Sequence, residues 1–530
     1  MDALQLILTP EQSANEQNIQ KAVANYLHLP FDNISQVRII KRSVDARQKD
    51  IKVLLTVVPI LKGEDPTPRY ENPQYKDVHN AKQQVIVIGA GPAGLFAALT
   101  LIENGIRPIV LERGKEVSER KKDIALLNRN EGFNEKSNYC FGEGGAGTFS
   151  DGKLFSRSKK RGDMQRVMEI FHYHGANDKI LYETHAHIGS DKLPSIIKNI
   201  RNTIITNGGE VLFNKQVTGF LFDKEHKNIL QVTTADGCNY KGMSVILAIG
   251  HSAHDTYQML LDNGIRLDSK GFAAGVRVEH PQALINRLMY HLGTNENNKH
   301  IVDLLGNASY SLVSQVEGRG VYSFCMCPGG HIVPATSQKE QCVVNGMSAS
   351  HRNSPFANSG IVVEIKTEDL YTNLNTTNSD PLIGLRYQQA LEKEAYKHSK
   401  APNIAPAQRL ADFVEGKTST TLPKCSYLPG ITPSRLDQWL PQPISRRLRQ
   451  AFRDYDKKYK GFLTNEAVVV GVESRSSSPV RIPRDKELLC HVEIQNLYPC
   501  GEGSGYAGGI TSSALDGINA AKKIAEKENI

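Results

Sequence analysis

The segment from Val85 to Glu112 constrains the fold of this chain more than any other stretch, because it reads as strand, glycine turn, helix and second strand. Val85–Ile88 is wholly apolar, as expected of a parallel strand that is buried on both faces. A helix is predicted from about Pro92 to Asn104, and Ile109–Leu111 returns as a strand that ends at an acid. This order and spacing predict a dinucleotide-binding βαβ unit.

The three glycines of the turn have distinct roles in such a unit. Gly89 permits the tight turn, Gly91 lets a pyrophosphate approach the backbone, and Gly94 lets the helix pack closely on the strand. The helix directs its free N–H groups and the positive end of its dipole at the phosphates. Glu112 is placed to accept hydrogen bonds from ribose hydroxyls, and its charge disfavours a 2′-phosphate. The binding residues predicted in this unit are Gly89, Gly91, Pro92, Ala93, Gly94, Glu112 and Arg113.

The unit alone leaves FAD and NAD open as ligands. Two features are similar to those of FAD-binding flavoproteins. Pro92 and Ala93 lie between the second and third glycines of the turn, and Glu112–Gly114 follows the second strand. Leu497–Ala525 adds a short strand, a glycine-rich turn and a helix. The turn has few side chains, so a ligand could approach the N-terminus of this second helix. The alternative is an ordinary C-terminal helix after a flexible loop. The residues assigned to FAD in this segment are Gly501, Glu502, Gly508, Gly509 and Ile510.

Two more stretches favour a FAD site distributed along the chain. Phe141–Leu154 has enough small residues to build a nest of backbone N–H groups, and Lys153 brings positive charge to the flavin pyrimidine ring. The strand Val245–Ile249 runs into Gly250. Val217 is predicted to meet the adenine through its backbone. The cofactor-binding residues predicted from these stretches are Gly144, Gly145, Ser150, Gly152, Lys153, Val217 and Gly250.

With these motifs in place, the chain resembles FAD-dependent dehydrogenases that have one dinucleotide fold and an inserted substrate domain. It is most similar to a group of bacterial proteins known only as uncharacterised FAD-dependent or NAD-utilising dehydrogenases. The resemblance implies that Gly250 passes near the cofactor and that Glu502, where many relatives carry Asp, contacts the ribityl chain. The stretches that carry it are Lys41–Arg47, Phe141–Leu154, Gly275–Gln282, Gly318–Gly330, Gly471–Asp485 and Tyr498–Gly517.

The predicted fold class is α/β, with a Rossmann-like three-layer FAD-binding domain, an inserted mixed α+β substrate domain and a small N-terminal α/β module. The module covers residues 1–62, with a strand at Leu4–Leu8, a helix at Glu16–Leu27 and strands near Val37–Lys41 and Ile51–Val58. Residues 63–82 are polar and contain proline, which is typical of a linker. The FAD-binding domain is predicted at 83–265 and 486–530, and the inserted domain at 266–485.

Composition favours a cytoplasmic enzyme. Hydrophobic residues make up 39% and charged residues 23% of the 530 residues, which is ordinary for a soluble globular protein. The chain has neither an apolar run of roughly 20 residues nor a basic N-terminal region before a signal core, so no membrane span and no export are expected. A net charge of +8 without a basic, aromatic-rich stripe argues against nucleic-acid binding. The eight cysteines form neither a disulfide framework nor paired CxxC motifs, so no metal is predicted.

The sequence also contains candidate catalytic residues, and each of them has a structural alternative. Cys325 and Cys327 are predicted to lie on one face of an extended strand, where a redox pair competes with a pair of ordinary core cysteines. His331 follows two glycines and can exchange a proton near neutral pH, although a histidine satisfied by loop backbone is the alternative. Arg475, which precedes three serines, can hold a carboxylate or phosphate, or it forms a salt bridge with Glu473 or another acid.

The predicted function is a FAD-dependent oxidoreductase that transfers a hydride between flavin and an unidentified small-molecule substrate, with an anionic substrate favoured by local basic surface. NAD(P)H stays open as a transient reductant, since no second glycine-turn unit is present to hold it durably. One alternative is an alkene or polyprenyl reductase. Another is a flavin-bearing redox sensor or partner-docking protein that works through the two cysteines or the N-terminal module.

Overall fold

The computed structural model describes residues 2–154, 162–293, 298–373 and 380–527. In the N-terminal module, an antiparallel sheet of order β1-β3-β2 packs one face on α1. Asn15 starts the helix by accepting a hydrogen bond from the N–H of Asn18. The first strand and the helix coincide with their predictions, whereas the other two strands are longer because their pairing continues through two bulges. The elements are β1 (Leu4–Leu8), α1 (Glu16–Leu27), β2 (Ile34–Asp45) and β3 (Lys52–Leu61).

The nucleotide-binding part is built on a five-stranded parallel sheet. Its elements before the insertion are β4 (Gln84–Ile88), α2 (Pro92–Glu103), β5 (Arg107–Leu111), α3 (Val117–Asn128), α4 (Met164–Tyr173), α5 (Leu193–Thr206), β6 (Glu210–Leu212), β7 (Val217–Phe222), β8 (Ile229–Thr234), β9 (Asn239–Tyr240), β10 (Ser244–Leu247) and α6 (His254–Asp262).

The next elements, from 268 to 481, are β11 (Asp268–Ser269), β12 (Phe272–Pro281), α7 (Gln282–Met289), α8 (Asn298–Leu305), β13 (Val313–Val316), β14 (Arg319–Cys327), β15 (His331–Pro334), β16 (Val344–Met347), β17 (Phe356–Ile365), α9 (Thr367–Asn373), α10 (Ile383–Lys397), β18 (Ala405–Arg409), α11 (Leu410–Glu415), β19 (Ile431–Pro433), α12 (Leu436–Trp439), α13 (Gln442–Lys458), β20 (Val468–Glu473) and β21 (Val480–Arg481). The chain ends with β22 (Leu497–Pro499) and α14 (Ile510–Lys527).

Three layers form around the parallel sheet, whose order is β22-β10-β4-β5-β6. Helices α2, α5 and α14 pack on one face, and the antiparallel sheet β7-β8-β9 packs with α6 on the other. The central strand β4 is buried on both sides, which explains why its sequence is apolar without alternation. The predicted Rossmann-like three-layer class is therefore confirmed.

The insertion is organised by a seven-stranded mixed sheet of order β13-β14-β17-β12-β20-β18-β19. Its entry and exit lie side by side, because β11 pairs antiparallel with β21 through Asp268 and Arg481. The long strands β12 and β17 pair over their whole length and both contribute to the core of this part. Within the described residues, no helix is long and apolar enough to cross a membrane.

Candidate functional site

Two helix N-termini meet at the glycine-rich loop that was predicted to bind an anion. No side chain caps α2 at Gly91. A Cβ on Gly147 of the loop would lie 3.1 Å from Cγ1 of Ile510, the first residue of α14, and 3.7 Å from Cγ of Pro92. A Cβ on Gly145 would lie 3.1 Å from the Cα of Gly91. The loop and both helix starts thus form one surface of nearly bare backbone, on which dipoles and N–H groups favour an anion.

Close backbone approaches require glycine at the other positions that set this geometry. Gly89 has φ of 106°, a conformation that residues with a side chain rarely adopt. A Cβ on Gly94 would lie 1.9 Å from the carbonyl oxygen of Gly89, and one on Gly517 would lie 2.0 Å from that of Ala93. Helices α2 and α14 therefore pack with their backbones nearly in contact, which brings their N-termini together.

Glu112, which directly follows β5, also holds the start of the glycine-rich loop in place. Its carboxylate is buried and accepts hydrogen bonds from the N–H groups of Ala90 (2.9 Å), Gly114 (2.9 Å) and Gly142 (3.0 Å). Two carboxylate oxygens offer about four acceptor positions, so this leaves room for one more donor such as a ribose hydroxyl. The predicted ribose contact stays a prediction, and the sequence did not indicate the structural role.

Arg120, which the sequence analysis missed, fixes the start of the glycine-rich loop through hydrogen bonds to its backbone. It is fully buried, and its guanidinium donates to the carbonyl oxygens of Asn138 (2.8 Å), Tyr139 (3.1 Å) and Glu143 (2.7 Å). Burial lowers the pKa of Arg120 to about 10, despite the opposing effect of nearby acids. An arginine on the buried side of α3 was the only sequence signal for this role.

The turns after β10 and β22 also converge at this site. Glu502 Oε2 lies 3.1 Å from His251 Nδ1, and a Cβ on Gly503 would lie 2.5 Å from the carbonyl oxygen of Gly250. Nothing lies within 4 Å of a Cβ placed on Gly250, Gly508 or Gly509, so these glycines border open space. The C-terminal glycine turn is therefore part of the site rather than an unrelated loop.

Two residues that were predicted to contact FAD, Val217 and Arg113, lie at the start of β7 and just after β5. Val217 begins β7, is buried and pairs with Thr234. Arg113 forms a salt bridge with Asp255 and lies over the ring of Phe141 at 4.4 Å from its centroid. These contacts tie the second strand of the βαβ unit to α6, and adenine contacts with Val217 stay a prediction.

The arrangement fits FAD. The uncapped helix start at Gly91, the bare backbone of Gly145 and Gly147 and the open space at Gly508 and Gly509 would hold the pyrophosphate and ribityl parts. Ser150 belongs to the shape of the loop, because its hydroxyl donates to the carbonyl oxygen of Gly147 (2.7 Å) and accepts from the N–H of Gly152 (3.0 Å). Gly144 donates its N–H to the Ala90 carbonyl oxygen (2.7 Å), which pins the loop to the βαβ turn.

Lys153 crosses from this loop to the inserted sheet. Its ammonium group donates to the carbonyl oxygen of Met326 and lies 3.9 Å from the Sγ atoms of both Cys325 and Cys327. Asp151, which is paired with Arg352, lies 3.9 Å from the same ammonium group. The loop that would carry FAD therefore contacts the part of the insert that carries the two candidate cysteines.

The two cysteines do not lie on a regular extended strand, which corrects the prediction. The pairing of β14 with β17 shifts register between Phe324 and Cys327, so one extra residue bulges out of β14. Cys325 has φ of 47°, in the left-handed region. Cys327 is fully buried, whereas Cys325 is partly exposed. The bulge redirects Cys325, which strict alternation would have placed on the same face of the strand as Cys327.

A buried charged network, also missed from the sequence, lies under this bulge. Arg277 of β12 is fully buried and donates to Glu473 (3.1 Å), to Asn358 (2.9 Å) and to the carbonyl oxygen of Cys325 (2.7 Å). Burial raises the pKa of Glu473 to about 7, and the charge of Arg277 opposes that rise. The signal was Arg277 itself, a charged residue in the middle of an apolar stretch, Phe272–Val278.

Arg475 does not anchor substrate from an open position, which corrects the favoured prediction. It is buried, and its guanidinium forms two hydrogen bonds of 2.8 Å with the carboxylate of Glu392 and a third, of 2.7 Å, with Ser337. The salt-bridge alternative describes it, with Glu392 as the partner because Glu473 is paired with Arg277. His331 is half-buried at the start of β15, and its proposed proton transfer stays a prediction.

Family profiles match most of the chain. Residues 271–476 match a profile described as "FAD-dependent protein, C-terminal domain-like", and residues 82–130 match "FAD binding domain". Residues 2–58 match a domain of unknown function. An uncharacterized protein of Clostridium beijerinckii is 40% identical over 527 residues, with 96% of each chain covered.

Solved structures similar to the chain include an L-proline dehydrogenase from P. horikoshii, with a TM-score of 0.36, 11% identity and coverage of 84% of this chain and 94% of the other. A geranylgeranyl bacteriochlorophyll reductase-like protein from Thermoplasma acidophilum gives a TM-score of 0.35, 11% identity and coverage of 84% and 80%.

The fold, the site and the matched profiles define a FAD-dependent protein. The chain belongs to the same family as the clostridial protein, a family of FAD-dependent proteins with a characteristic C-terminal domain.

Proposed function

We propose that the protein is a dehydrogenase that transfers a hydride between a small-molecule substrate and bound FAD. FAD supplies the two-electron chemistry, and the protein must hold it, place the substrate and tune the charge around it. The observation that carries the proposal is Lys153, which belongs to the FAD-side loop and reaches the bulge of the inserted sheet. This contact makes the seam between the loop and the insert the place where substrate and cofactor would meet.

The charges at the seam favour an electron-rich or anionic group. Arg277 is paired with Glu473 at 3.1 Å and Asp151 with Arg352 at 2.7 Å, whereas Lys153 lies 3.9 Å from Asp151, so its positive charge is the least closely paired at the bulge. Burial acts to lower the pKa of Lys153, but the neighbouring Cys325, Cys327 and Asp151 outweigh it and raise that pKa. Lys153 therefore stays protonated at neutral pH and can stabilise negative charge that develops next to it.

NAD(P)H is proposed as a transient reductant. Only one βαβ unit with the glycine fingerprint is present among the described residues, and its helix N-terminus belongs to the FAD site. A nicotinamide cofactor would therefore bind and leave during turnover instead of staying bound. An alkene or polyprenyl reductase is not favoured by the two cavities of about 210 and 340 Å³ between described residues, because charged side chains contribute to the lining of each.

Anaerobic mixing tests the proposal. The purified protein should carry FAD, and NADH or NADPH should bleach its absorbance in the flavin bands. Lys153→Met should slow this bleaching, whereas Lys122→Met, which removes an exposed lysine of α3 paired only with Glu119, should not. Protein that neither contains nor takes up FAD would exclude the function, and FAD that neither nucleotide reduces would exclude both reductants.

A further inference from the structure

The cysteines of β14 are arranged as two unequal thiols around one ammonium group. The Lys153 Nζ lies 3.9 Å from the Sγ of both Cys325 and Cys327. The Cys327 thiol lies 3.3 Å from the carbonyl oxygen of Cys325, and Arg277 Nη2 lies 3.5 Å from the Cys327 sulfur. Neither sulfur forms a disulfide. Two cations next to two thiols make a site that favours a thiolate.

The two sulfurs differ in access and in protonation. Cys325 is partly exposed, whereas Cys327 is fully buried behind it. A hydrogen bond from the Cys327 thiol lowers the pKa of Cys325 well below its usual value, and Lys153 and Arg277 lower it further against the effect of burial. The same hydrogen bond and burial raise the pKa of Cys327. A partly exposed cysteine with a lowered pKa beside a buried cysteine with a raised pKa has the asymmetry of an attacking and a resolving cysteine.

We propose that Cys325 and Cys327 form a thiol–disulfide exchange site for small-molecule disulfides. The Cys325 thiolate attacks one sulfur of the disulfide, forming a mixed disulfide as the other sulfur leaves as a thiolate. Cys327 then loses its proton and attacks the Cys325 sulfur, which releases the second half of the substrate. Two electrons pass to the substrate, which becomes one thiol and one thiolate, and a Cys325–Cys327 disulfide forms.

The bulge removes the regular geometry that would prevent this bond, and the short spacing of the two cysteines makes the bond labile. A disulfide needs Cβ atoms about 3.5–4.5 Å apart, and cysteines two residues apart on a regular strand do not meet that requirement. The extra residue in β14 and the left-handed conformation of Cys325 remove the regular alternation. A strained disulfide has a more oxidising potential and is readily reduced again, as an exchange site requires.

Mass mapping with hydroxyethyl disulfide tests the proposal on the full chain with its FAD content measured. Reduced protein is exposed to the reagent, denatured and alkylated with N-ethylmaleimide. The peptide that carries Cys325 and Cys327 should become two hydrogen atoms lighter and resist alkylation, and Cys327→Ser should trap a mixed disulfide on Cys325. The exposed Cys238, whose sulfur lies 3.4 Å from the ammonium group of Lys215 and 3.5 Å from the carboxylate of Asp236, so that the two charges offset each other, serves as the control for general thiol reactivity. Free thiols at both positions after Cys238 has reacted would overturn the proposal, as would a mixed disulfide on Cys325 that persists in the unaltered protein.

The rate of iodoacetamide labelling gives a second, independent readout. The charged and titratable groups around Cys325 are Lys153, Asp151, Arg277, Glu473 and Cys327. Near pH 6, Cys325 should react about tenfold faster than Cys238, and Lys153→Met should shift its pH profile upward. Equal rates for Cys325 and Cys238, or a profile that Lys153→Met does not move, would refute the thiolate. These labels report on sulfur alone, so they separate failure of this proposal from failure of the flavin function.

Discussion

Replacing Arg475 with Met decides whether this residue holds the fold or a substrate. The side chain forms two 2.8 Å hydrogen bonds with Glu392 and one of 2.7 Å with Ser337, and both charged groups are buried. After the substitution, the Glu392 carboxylate keeps the hydrogen bond that it accepts from the hydroxyl of Ser474 at 2.6 Å. The variant therefore keeps a buried acid whose countercharge has been removed.

Breaking a buried ion pair from one side costs about 3–5 kcal/mol, because the remaining charge stays desolvated and unpaired. For a large domain that loss corresponds to a fall in Tm on the order of 10 °C. The matched control is Arg386→Met, because Arg386 pairs with Asp380 at 2.6 Å on the surface, with 59% of its side chain exposed. A pair of that kind contributes about 1 kcal/mol or less.

Thermal and urea unfolding, followed by tryptophan fluorescence at matched FAD content, measure the difference. We expect a large loss of stability for Arg475→Met, partial recovery when Glu392→Gln is added, and little change for Arg386→Met. Stability equal to that of the control, combined with a raised KM for the substrate, would refute the structural role and restore the substrate-anchor hypothesis.

Two further substitutions test the cofactor site and the buried acids. Gly91→Val should fold but lose FAD, because a Cβ on Gly91 would lie 3.8 Å from the Cα of Gly145 and the methyl groups of valine would fill the remaining gap. The control Gly219→Val, at a glycine that borders open space, should retain FAD. Absorbance at the flavin bands measures the FAD content of both variants. Burial raises the pKa of Glu279 to about 7, so the folded state holds this proton more tightly than the unfolded state and stability is lost as pH rises from about 4.5 to 7. That loss is about 3 kcal/mol, it should be absent in Glu279→Gln, and parallel pH profiles of Tm for the two proteins would contradict it.

The FAD-side elements could be predicted because their signals are local. Val85–Glu112 carries its strand, turn and helix within one segment. The glycine roles followed from the same logic, since the positive φ of Gly89 and the clash between a Cβ on Gly94 and the carbonyl oxygen of Gly89 both arise within the unit itself. The three-layer class then followed from an apolar strand that must be covered on both faces.

The catalytic candidates could not be placed in the same way, because distant residues decide their environment. The bulge at Cys325 exists only in the pairing of β14 with β17, and the partner of Arg475 lies 83 residues earlier in the chain. Arg277 lies 48 residues before Cys325, and Lys153 lies 172 residues before it. Spacing along the sequence does not reveal these contacts, so the sequence alone cannot distinguish a reactive cysteine from an inert one.

The division of the site between two parts of the chain has a consequence for its chemistry. The helix starts and the glycine loop that would hold FAD belong to the parallel sheet, whereas Cys325 and Cys327 belong to the inserted sheet, and Lys153 connects them. Loss of FAD through Gly91→Val should therefore leave the rapid labelling of Cys325 intact, while Lys153→Met should affect both flavin reduction and thiol reactivity. If Gly91→Val also abolished the rapid labelling, the thiolate would depend on bound FAD rather than on the lysine and arginine that surround it.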